Sequence, residues 1–202
     1  MNADPGSLLL SFWQLVQPVD TWLLTHINQD WSNSFLDTVL PYLRETLFWV
    51  PLYAFLLLFV TMNFGAKGLW WVVAVVICAA LSDLISSKLI KTNIIRLRPC
   101  RDAVIAQQIR FFVNYCPSSS SFTSSHATSH FAQAMFFYCT LKHIMGKWAW
   151  IFFAWAFSIA YTQVYVGVHY PFDVFCGSLL GCGIGFAIVK LFNKQIGKLG
   201  VS

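Results

Sequence analysis

The sequence predicts an all-α polytopic membrane helix bundle, with about five transmembrane helices plus N-terminal interfacial amphipathic helices. Two observations carry this prediction: 57% of the 202 residues are hydrophobic, and only 10% are charged. A soluble domain has about 25% charged residues, so the composition excludes an ordinary soluble fold. The many Phe and Trp side chains are typical of a chain that meets lipid and its interfaces.

Five stretches are apolar and long enough to cross a membrane, which takes about 20 residues of helix. Helices are predicted because lipid offers no partner to a free backbone N–H or C=O group. The predicted spans are residues 47–64, 69–90, 127–145, 148–168 and 172–192. They predict a transmembrane core over residues 47–192, followed by a basic tail over residues 193–202.

The first part of the chain, residues 1–46, does not make a convincing span. Apolar residues such as Phe12, Leu15 and Val16 recur with helical period, but Asp20 interrupts them. This pattern favours one or two amphipathic helices lying in the interface, with a re-entrant segment or a sixth span as the alternative. No cleavable signal peptide is evident, because no basic region precedes the first apolar run.

Three polar clusters interrupt the apolar pattern. The first, KTNIIRLRP, holds Lys91 and Arg98, which are close to two helical turns apart and can share a face if the helix continues. Pro99 forbids continuation beyond that point. A snorkelling lysine beside a basic loop is the alternative.

The second cluster is Ser124-Ser125-His126, at the start of the third predicted span. A serine at a helix start caps free N–H groups, and the same N–H groups can bind an anion. The alternative is a plain helix cap with His126 as interfacial packing.

The third cluster is VGVHYPFDV, in which His169 precedes Asp173 by four residues. Pro171 suits the first turn of a helix. A carboxylate one turn away can hold an imidazole in one tautomer, as a nucleophilic or basic histidine requires. A capping aspartate with an interfacial histidine is the alternative. Alternating spans bring all three clusters to one membrane face, which favours a shared site.

Taken together, Lys-x6-Arg-Pro, Ser-x-His and His-x3-Asp resemble the three-part signature of the type 2 phosphatidic acid phosphatase superfamily, over roughly residues 50–190. The resemblance implies a membrane phosphatase that acts on lipid phosphates or polyprenyl diphosphates and needs no metal or other cofactor. The small chain looks most like the bacterial branch that recycles undecaprenyl diphosphate, with phosphatidylglycerol phosphate and lipid A phosphate as rival substrates.

The resemblance also implies a role for each site residue. His169 would attack phosphorus and become phosphohistidine, Asp173 would orient it, and His126 would protonate the departing oxygen. Phosphoryl oxygens would be held by the substrate-binding residues Lys91, Arg98, Ser124 and Ser125, with Gln163 nearby. Phosphoryl transfer depends above all on positioning and charge neutralisation, which such residues supply.

This sequence departs from the family pattern at several positions. Thr123 and Ser125 stand where Pro and Gly are usual, and Thr162 and Gln163 replace a Ser-Arg pair. Gln163 can donate hydrogen bonds but carries no charge. Arg96, Arg101 or Arg110 are candidates to compensate, whereas a non-catalytic binder of phosphate lipids is the main rival interpretation. A transporter or a haloperoxidase fits less well, because inverted repeats are not evident and haloperoxidases are not membrane bundles.

Two polar residues within spans stay outside the motifs. His130 lies one turn after His126, and an H-x3-H pair invites a metal site, but a hydrogen-bonded role beside the site is favoured. Asp83 is predicted to pair with a Lys or Tyr of a neighbouring helix.

Charge and cysteine placement bear on the cellular setting. The net charge of +5 comes from Lys and Arg that flank spans, so the predicted partners are the bilayer and a lipid phosphate, not nucleic acid. The raw count of Lys and Arg, six opposite the site and seven on the site face, does not decide the orientation. With Lys91 and Arg98 set aside as site residues the count becomes six against five, which favours a multi-pass inner (cell) membrane protein with a periplasmic or extracytoplasmic site. On an oxidising face, Cys100 and Cys116 are expected to form a disulfide.

Overall fold

The computed structural model describes residues 5–200, without the side chains of residues 5–10, and its regular structure there is entirely helical. Residues 1–4 and 201–202, the extremes of the predicted N-terminal and C-terminal segments, lie outside the described part. The six main helices are α1 (Pro5–Thr25), α2 (Ser34–Leu43), α3 (Val50–Asp83), α4 (Ser125–Met145), α5 (Ile151–Tyr165) and α6 (Pro171–Gln195).

Short helical segments connect or extend these helices. A π-helical turn, His26–Asp30, follows α1, and another, Leu84–Ile90, extends α3 to a final turn at Lys91–Asn93. The remaining segments are 3₁₀ turns: Thr46–Trp49, Pro99–Arg101, Ile105–Gln107 and Gly146–Trp150.

The prediction of about five transmembrane helices is wrong, because several predicted spans belong to the same helical segment. Within residues 5–200, three helical segments are long and apolar enough to cross a membrane: Thr46–Asn93, Ser125–Tyr165 and Pro171–Gln195. The first two predicted spans run together in one segment and the next two in another, because no non-helical loop separates them.

Two glycines let the chain fold back inside the first two segments. Gly65 has φ 51° and Gly146 has φ 55°, a conformation that L side chains rarely adopt. A Cβ built on Gly68 would lie 2.0 Å from the carbonyl oxygen of Val60. In an uninterrupted helix those residues would be about 12 Å apart along the axis, so the chain reverses direction near Gly65.

The reversal near Gly146 brings α5 alongside α4. The rings of Phe137 and Phe152 have centroids 5.2 Å apart, although they lie on either side of the glycine. Trp71 of α3 stacks on Phe137 at 5.1 Å and donates a 2.8 Å hydrogen bond from Nε1 to Oγ1 of Thr140. These buried aromatic contacts form the apolar core on which the polar site rests.

A stripe of glycines sets the distance between α4 and α6. A Cβ on Gly181 would lie 2.2 Å from the carbonyl oxygen of Thr128, and a Cβ on Gly185 would lie 2.2 Å from that of Ala132. Small residues at such spacing let two helix backbones approach closely in a membrane. Since α4 begins beside His126 and α6 begins beside His169, this contact fixes two of the polar clusters relative to one another.

The helix α1 is not among the three segments that could span a membrane. It packs on the start of α6, where Asp20 accepts a 2.8 Å hydrogen bond from the backbone N–H of Phe172. Asp20 is buried, whereas Leu15 and Val19 are exposed. Interfacial α1 and α2, like the three-part division of the chain, stay predictions.

Candidate active site

His169 lies in a tight turn between α5 and α6. Gly167 has φ 80°, and the N–H groups of Val168 and His169 both donate to the carbonyl oxygen of Gln163 at 3.2 Å. Pro171 then begins α6, with its fixed φ suited to the first helical turn. The turn holds the imidazole at the end of the bundle that carries the other polar clusters.

The imidazole of His169 is held on both ring nitrogens. Nη1 of Arg98 lies 3.0 Å from Nε2. On the other side of the ring, Nδ1 lies 3.5 Å from Oγ of Ser121 and 3.7 Å from Oδ2 of Asp173. A guanidinium only donates, so Nε2 must accept and the ring proton belongs on Nδ1, towards the carboxylate. The arrangement leaves Nε2 with a lone pair directed at Arg98, which is itself a group that binds phosphoryl oxygens.

Burial keeps this imidazole neutral. Loss of solvation lowers the pKa of His169 to about 3, although the neighbouring Asp173 carboxylate opposes that shift. Burial also lowers the pKa of Arg98 to about 10, which leaves the guanidinium charged at neutral pH. A neutral nitrogen base therefore lies beside a cation, as a histidine nucleophile requires.

Asp173 is fixed by more contacts than the sequence indicated. Its Oδ1 accepts a 2.6 Å hydrogen bond from Arg96, and its Oδ2 accepts a 2.5 Å bond from Oγ of Ser121. The backbone N–H of Tyr170 also donates to Oδ2 at 3.1 Å. The carboxylate is therefore paired while fully buried, which is the condition under which a buried charge is tolerated.

Arg96 extends this network to the N-terminal helix. Its Nη2 contacts Oδ2 of Asp20 at 2.6 Å, and its guanidinium lies 4.5 Å from the Trp13 ring centroid and 4.2 Å from that of Tyr170. Sequence reasoning missed Asp20 and Ser121 and considered Arg96 only as a phosphate-binding substitute. The available signal was Asp20 itself, a lone carboxylate in an apolar helix.

The two serines at the start of α4 have different partners. Ser124 is the N-cap: its Oγ accepts from the N–H of Ala127 at 3.4 Å, and its own N–H donates to the carbonyl of Asp173 at 3.1 Å. Oγ of Ser125 lies 2.9 Å from Oγ of Ser87, which donates to Asp83 at 2.7 Å. The sequence predicted that Asp83 pairs with a Lys or Tyr of a neighbouring helix, and this prediction is wrong for its hydrogen bond. The donor is Ser87, one helical turn further along the same helical segment.

His126 lines a cavity of about 660 Å³ that opens beside α2 and the loop after Ile105–Gln107. Its ring is stacked at 6.3 Å from that of His130, whose Nδ1 lies 2.8 Å from the carbonyl oxygen of His126. The N–H of Ser124, two residues before His126, donates to the carbonyl of Asp173, so the start of α4 lies beside the start of α6. A shared site for the two imidazoles stays a prediction. His130 has the hydrogen-bonded role predicted for it.

Lys91 and Arg98 reach the site in a way that differs from the expected helical face. The helix ends at Asn93, and Arg98 has extended backbone, φ −76° and ψ 151°. Lys91 is half-buried and interacts electrostatically with Arg98, Asp173 and His169. The loop, not a continued helix, therefore brings the two cations together.

Gln163 is completely buried, and neither atom of its side-chain amide has a hydrogen-bond partner among the described residues. The proposed compensating arginines are engaged elsewhere. Arg101 donates to the carbonyls of Cys116 and Pro117, and Arg110 pairs with Asp37. Within residues 5–200, no group of three or more His, Cys, Asp or Glu side chains is arranged to hold a metal ion.

The long loop is closed by a disulfide. Cys100 and Cys116 are bonded, with Cα atoms 6.1 Å apart, as the sequence hypothesis predicted. The bond links the segment after Arg98 to the segment before Ser121, so both ends of the loop that carries them are held together.

A buried imidazole beside a carboxylate, with an arginine and a lysine at the end of a helical membrane bundle, supplies the groups that phosphoryl transfer through a histidine needs. The sequence model of the family described as the PAP2 superfamily matches residues 68–196 of this chain. The chain belongs to the PAP2 superfamily and is a membrane lipid phosphatase, a phosphoric ester hydrolase.

Curated relatives and solved structures agree with this membership. The chain is 29% identical to the lipid A 4′-phosphatase of Bacteroides thetaiotaomicron over 92% of its own length and 82% of that protein's. It is 31% identical to the undecaprenyl-diphosphatase of Sulfolobus acidocaldarius, over 86% and 77%. The transmembrane phosphatidylglycerolphosphate phosphatase of Bacillus subtilis has the same fold, with a TM-score of 0.70, 23% identity and coverage of 94% and 92%.

Proposed function

We propose that the protein hydrolyses a polyprenyl diphosphate or lipid phosphate, with undecaprenyl diphosphate favoured, through a phosphohistidine on His169. The observation that carries this proposal is the pair of contacts on one ring: Arg98 on Nε2 at 3.0 Å and Asp173 on Nδ1 at 3.7 Å. The Arg98 contact leaves the nucleophilic nitrogen unprotonated, and the Asp173 carboxylate stabilises the positive charge that develops on the ring when that nitrogen bonds to phosphorus.

In the first step, the lone pair of Nε2 attacks phosphorus and the bond between phosphorus and the leaving oxygen breaks. His126 gives its proton to that oxygen. Arg98 and Lys91 neutralise the phosphoryl oxygens, while the unpartnered amide of Gln163 supplies a further hydrogen-bond donor. The backbone N–H groups of Ser125 and His126 at the start of α4, together with the side chain of Ser124, complete the binding site.

In the second step, a water molecule attacks the phosphohistidine and gives its proton to His126, which is neutral after the first step. The N–P bond breaks, phosphate leaves, and His169 recovers the neutral state that its burial favours. Every charge that the reaction needs comes from side chains, so the proposed reaction requires no metal ion.

Two relatives each support a different candidate substrate. The undecaprenyl-diphosphatase relative supports a polyprenyl diphosphate. The lipid A 4′-phosphatase relative supports a second candidate, the phosphate monoester of lipid A. Gln163 in place of the family arginine keeps a catalytically weakened phosphate-lipid binder as a third candidate, which activity measurements distinguish from the other two.

The site is proposed to face the periplasm or another extracytoplasmic space of the inner membrane. Helix α4 runs from Ser125 at the site to Met145, about 30 Å for its 21 residues, the thickness of a bilayer core. Lys142 and Lys198 line a cavity at the far end. Basic residues without acidic neighbours favour the cytoplasmic side for that end.

The test is phosphate release by the purified protein in detergent, offered undecaprenyl diphosphate, lipid A and phosphatidylglycerol phosphate. We expect release from the diphosphate at the highest kcat/KM, unchanged by EDTA and inhibited by vanadate, which imitates the phosphoryl transition state. No release from any of the three would contradict the proposal, and a strict requirement for a divalent metal would contradict its mechanism.

A further inference from the structure

The cavity next to His126 contains a cation that the family motifs do not include. Arg44 follows the last residue of α2 and lines the cavity of about 660 Å³ together with His126. It lies outside residues 68–196, which match the family. Its Nη1 is buried and has no hydrogen-bond partner among the described residues, so an arginine that lines the cavity has one unsatisfied donor.

The surroundings of Arg44 suit an anion better than a protein partner. Glu45 also lines the cavity and interacts electrostatically with Arg44, but it is exposed, and no ion pair joins the two side chains within the described chain. Burial lowers the pKa of Arg44 below its ordinary value, although the guanidinium stays charged. A half-buried guanidinium without a carboxylate partner gains most from a ligand that brings negative charge.

Arg44 lies beside His126, the proposed general acid, and not beside His169, the proposed nucleophile. Arg44 and His126 line the same cavity, and His169 is not among the described residues that line it. The cation in contact with His169 is instead Arg98, whose Nη1 lies 3.0 Å from Nε2. The proposed mechanism makes His126 the residue that protonates the leaving oxygen, so the cavity around Arg44 is where the leaving group lies.

We propose that Arg44 binds an anionic group on the leaving side, the second phosphoryl group of a lipid diphosphate. This inference rests on the proposed function and narrows it: the leaving group of a diphosphate is a lipid monophosphate, whereas that of a monoester is an uncharged alcohol. Only the diphosphate supplies an anion next to the scissile bond where the free guanidinium lies. Arg44 thereby selects diphosphates over monophosphates.

The experiment compares farnesyl diphosphate with farnesyl phosphate, which share one lipid chain and differ in the leaving group. We expect Arg44→Gln to lower kcat/KM for the diphosphate by about 10-fold to 100-fold, the effect of losing a charged hydrogen bond, and to change the monophosphate value less than about 3-fold. Arg44→Lys, which retains the charge, should recover part of the loss.

Arg101→Gln is the matched control. Arg101 is exposed in the long loop before α4, and its guanidinium donates to the carbonyls of Pro117 and Cys116. It should affect both substrates equally and slightly. Equal losses on both substrates with Arg44→Gln would overturn the inference, since they would mean that Arg44 holds the transferred phosphoryl group. No loss on either substrate would overturn it as well.

A binding measurement separates this inference from the proposed function. In a His169→Ala background, which removes the proposed nucleophile, the added Arg44→Gln change should weaken farnesyl diphosphate binding about 10-fold or more and leave farnesyl phosphate binding nearly unchanged. If the wild-type protein releases no phosphate but this difference in Kd persists, the proposed function fails and the role of Arg44 stands. Equal Kd changes for the two ligands would overturn the role of Arg44.

Discussion

Nη1 of Arg98 lies 3.0 Å from Nε2 of His169, and the same nitrogen of Arg98 donates to the carbonyl oxygen of Val168 at 3.0 Å. The arginine is in turn held by the carbonyl of Ser119 at 2.9 Å. Because a guanidinium can only donate hydrogen bonds, the contact requires Nε2 of His169 to be the ring nitrogen without a proton. One side chain thus both prepares the proposed nucleophile and marks the position of the phosphoryl oxygens.

The first prediction concerns the protonation of His169. Since burial lowers its pKa to about 3 from an ordinary 6.5, the folded protein should contain the neutral ring throughout pH 5–8, with the proton on Nδ1. Because the pKa is lowered, the ring of His169 gains a second proton only as the pH falls towards 3. NMR of ¹⁵N-histidine-labelled protein, with His169→Gln for assignment, measures this state. An imidazolium signal for His169 at pH 6 would contradict the prediction.

The second prediction is the loss of catalysis on removal of the proposed nucleophile. His169→Ala should lower kcat by about 10³-fold or more, since no other group forms the N–P bond. Rapid acid-free quenching with ³²P-labelled substrate should trap a labelled protein in the wild type and none in the variant. His143→Ala is the control, because His143 lines the cavity at the opposite end of the bundle. A labelled His169→Ala protein would refute the phosphohistidine.

The third prediction tests the link from α1 to the site. Asp20→Asn removes one of the two carboxylates on the buried Arg96 and should cost about 1.5–3 kcal/mol, the contribution of a charged hydrogen bond. Thermal unfolding in detergent measures the loss, and kcat should fall because Asp173 is held less firmly. Asp30→Asn, at an exposed pair with His26, should cost less than about 1 kcal/mol. Equal effects of the two changes would argue against the network.

The fourth prediction concerns the contact between α4 and α6. Gly181→Ala would bring a Cβ within 2.2 Å of the Thr128 carbonyl oxygen, so the helices must separate at a cost of about 1–3 kcal/mol. Gly183→Ala is the matched control on the same helix, because a Cβ there meets nothing within 4 Å. Thermal unfolding should distinguish the two substitutions. Similar stabilities would mean that the two helices are not closely packed.

The fifth prediction concerns the residue that replaces the family arginine. Gln163→Arg should leave turnover unchanged or raise it by up to about 100-fold, if the site has lost one charge-assisted contact with the phosphoryl group. The substitution breaks no side-chain hydrogen bond among the described residues, because the buried amide of Gln163 makes none. Steady-state kcat with an intact melting temperature gives the answer. A collapse of turnover in a folded variant would mean that another group occupies that space.

Much of the fold and the site could be predicted from local sequence. Hydropathy found the membrane segments but not their number, because a glycine with positive φ, such as Gly65, lets two apolar stretches join without a polar loop. Spacing found His169 and Asp173, because their pairing depends only on one helical turn. Arg96 and Asp20 could not be paired in this way, since α1 and the loop meet only after the bundle forms.

By itself, the sequence determined that the chain lies in a membrane as helices, and it predicted that the three polar clusters share one face. Composition and short spacings carry that information, because the lipid solvent and the helical turn act locally. Only the tertiary structure decided that Arg98 contacts Nε2 of His169, that Arg96 bridges Asp20 and Asp173, and that Arg44 enters the cavity beside His126. Those contacts join residues from separate elements, and helix packing alone sets the distances between them.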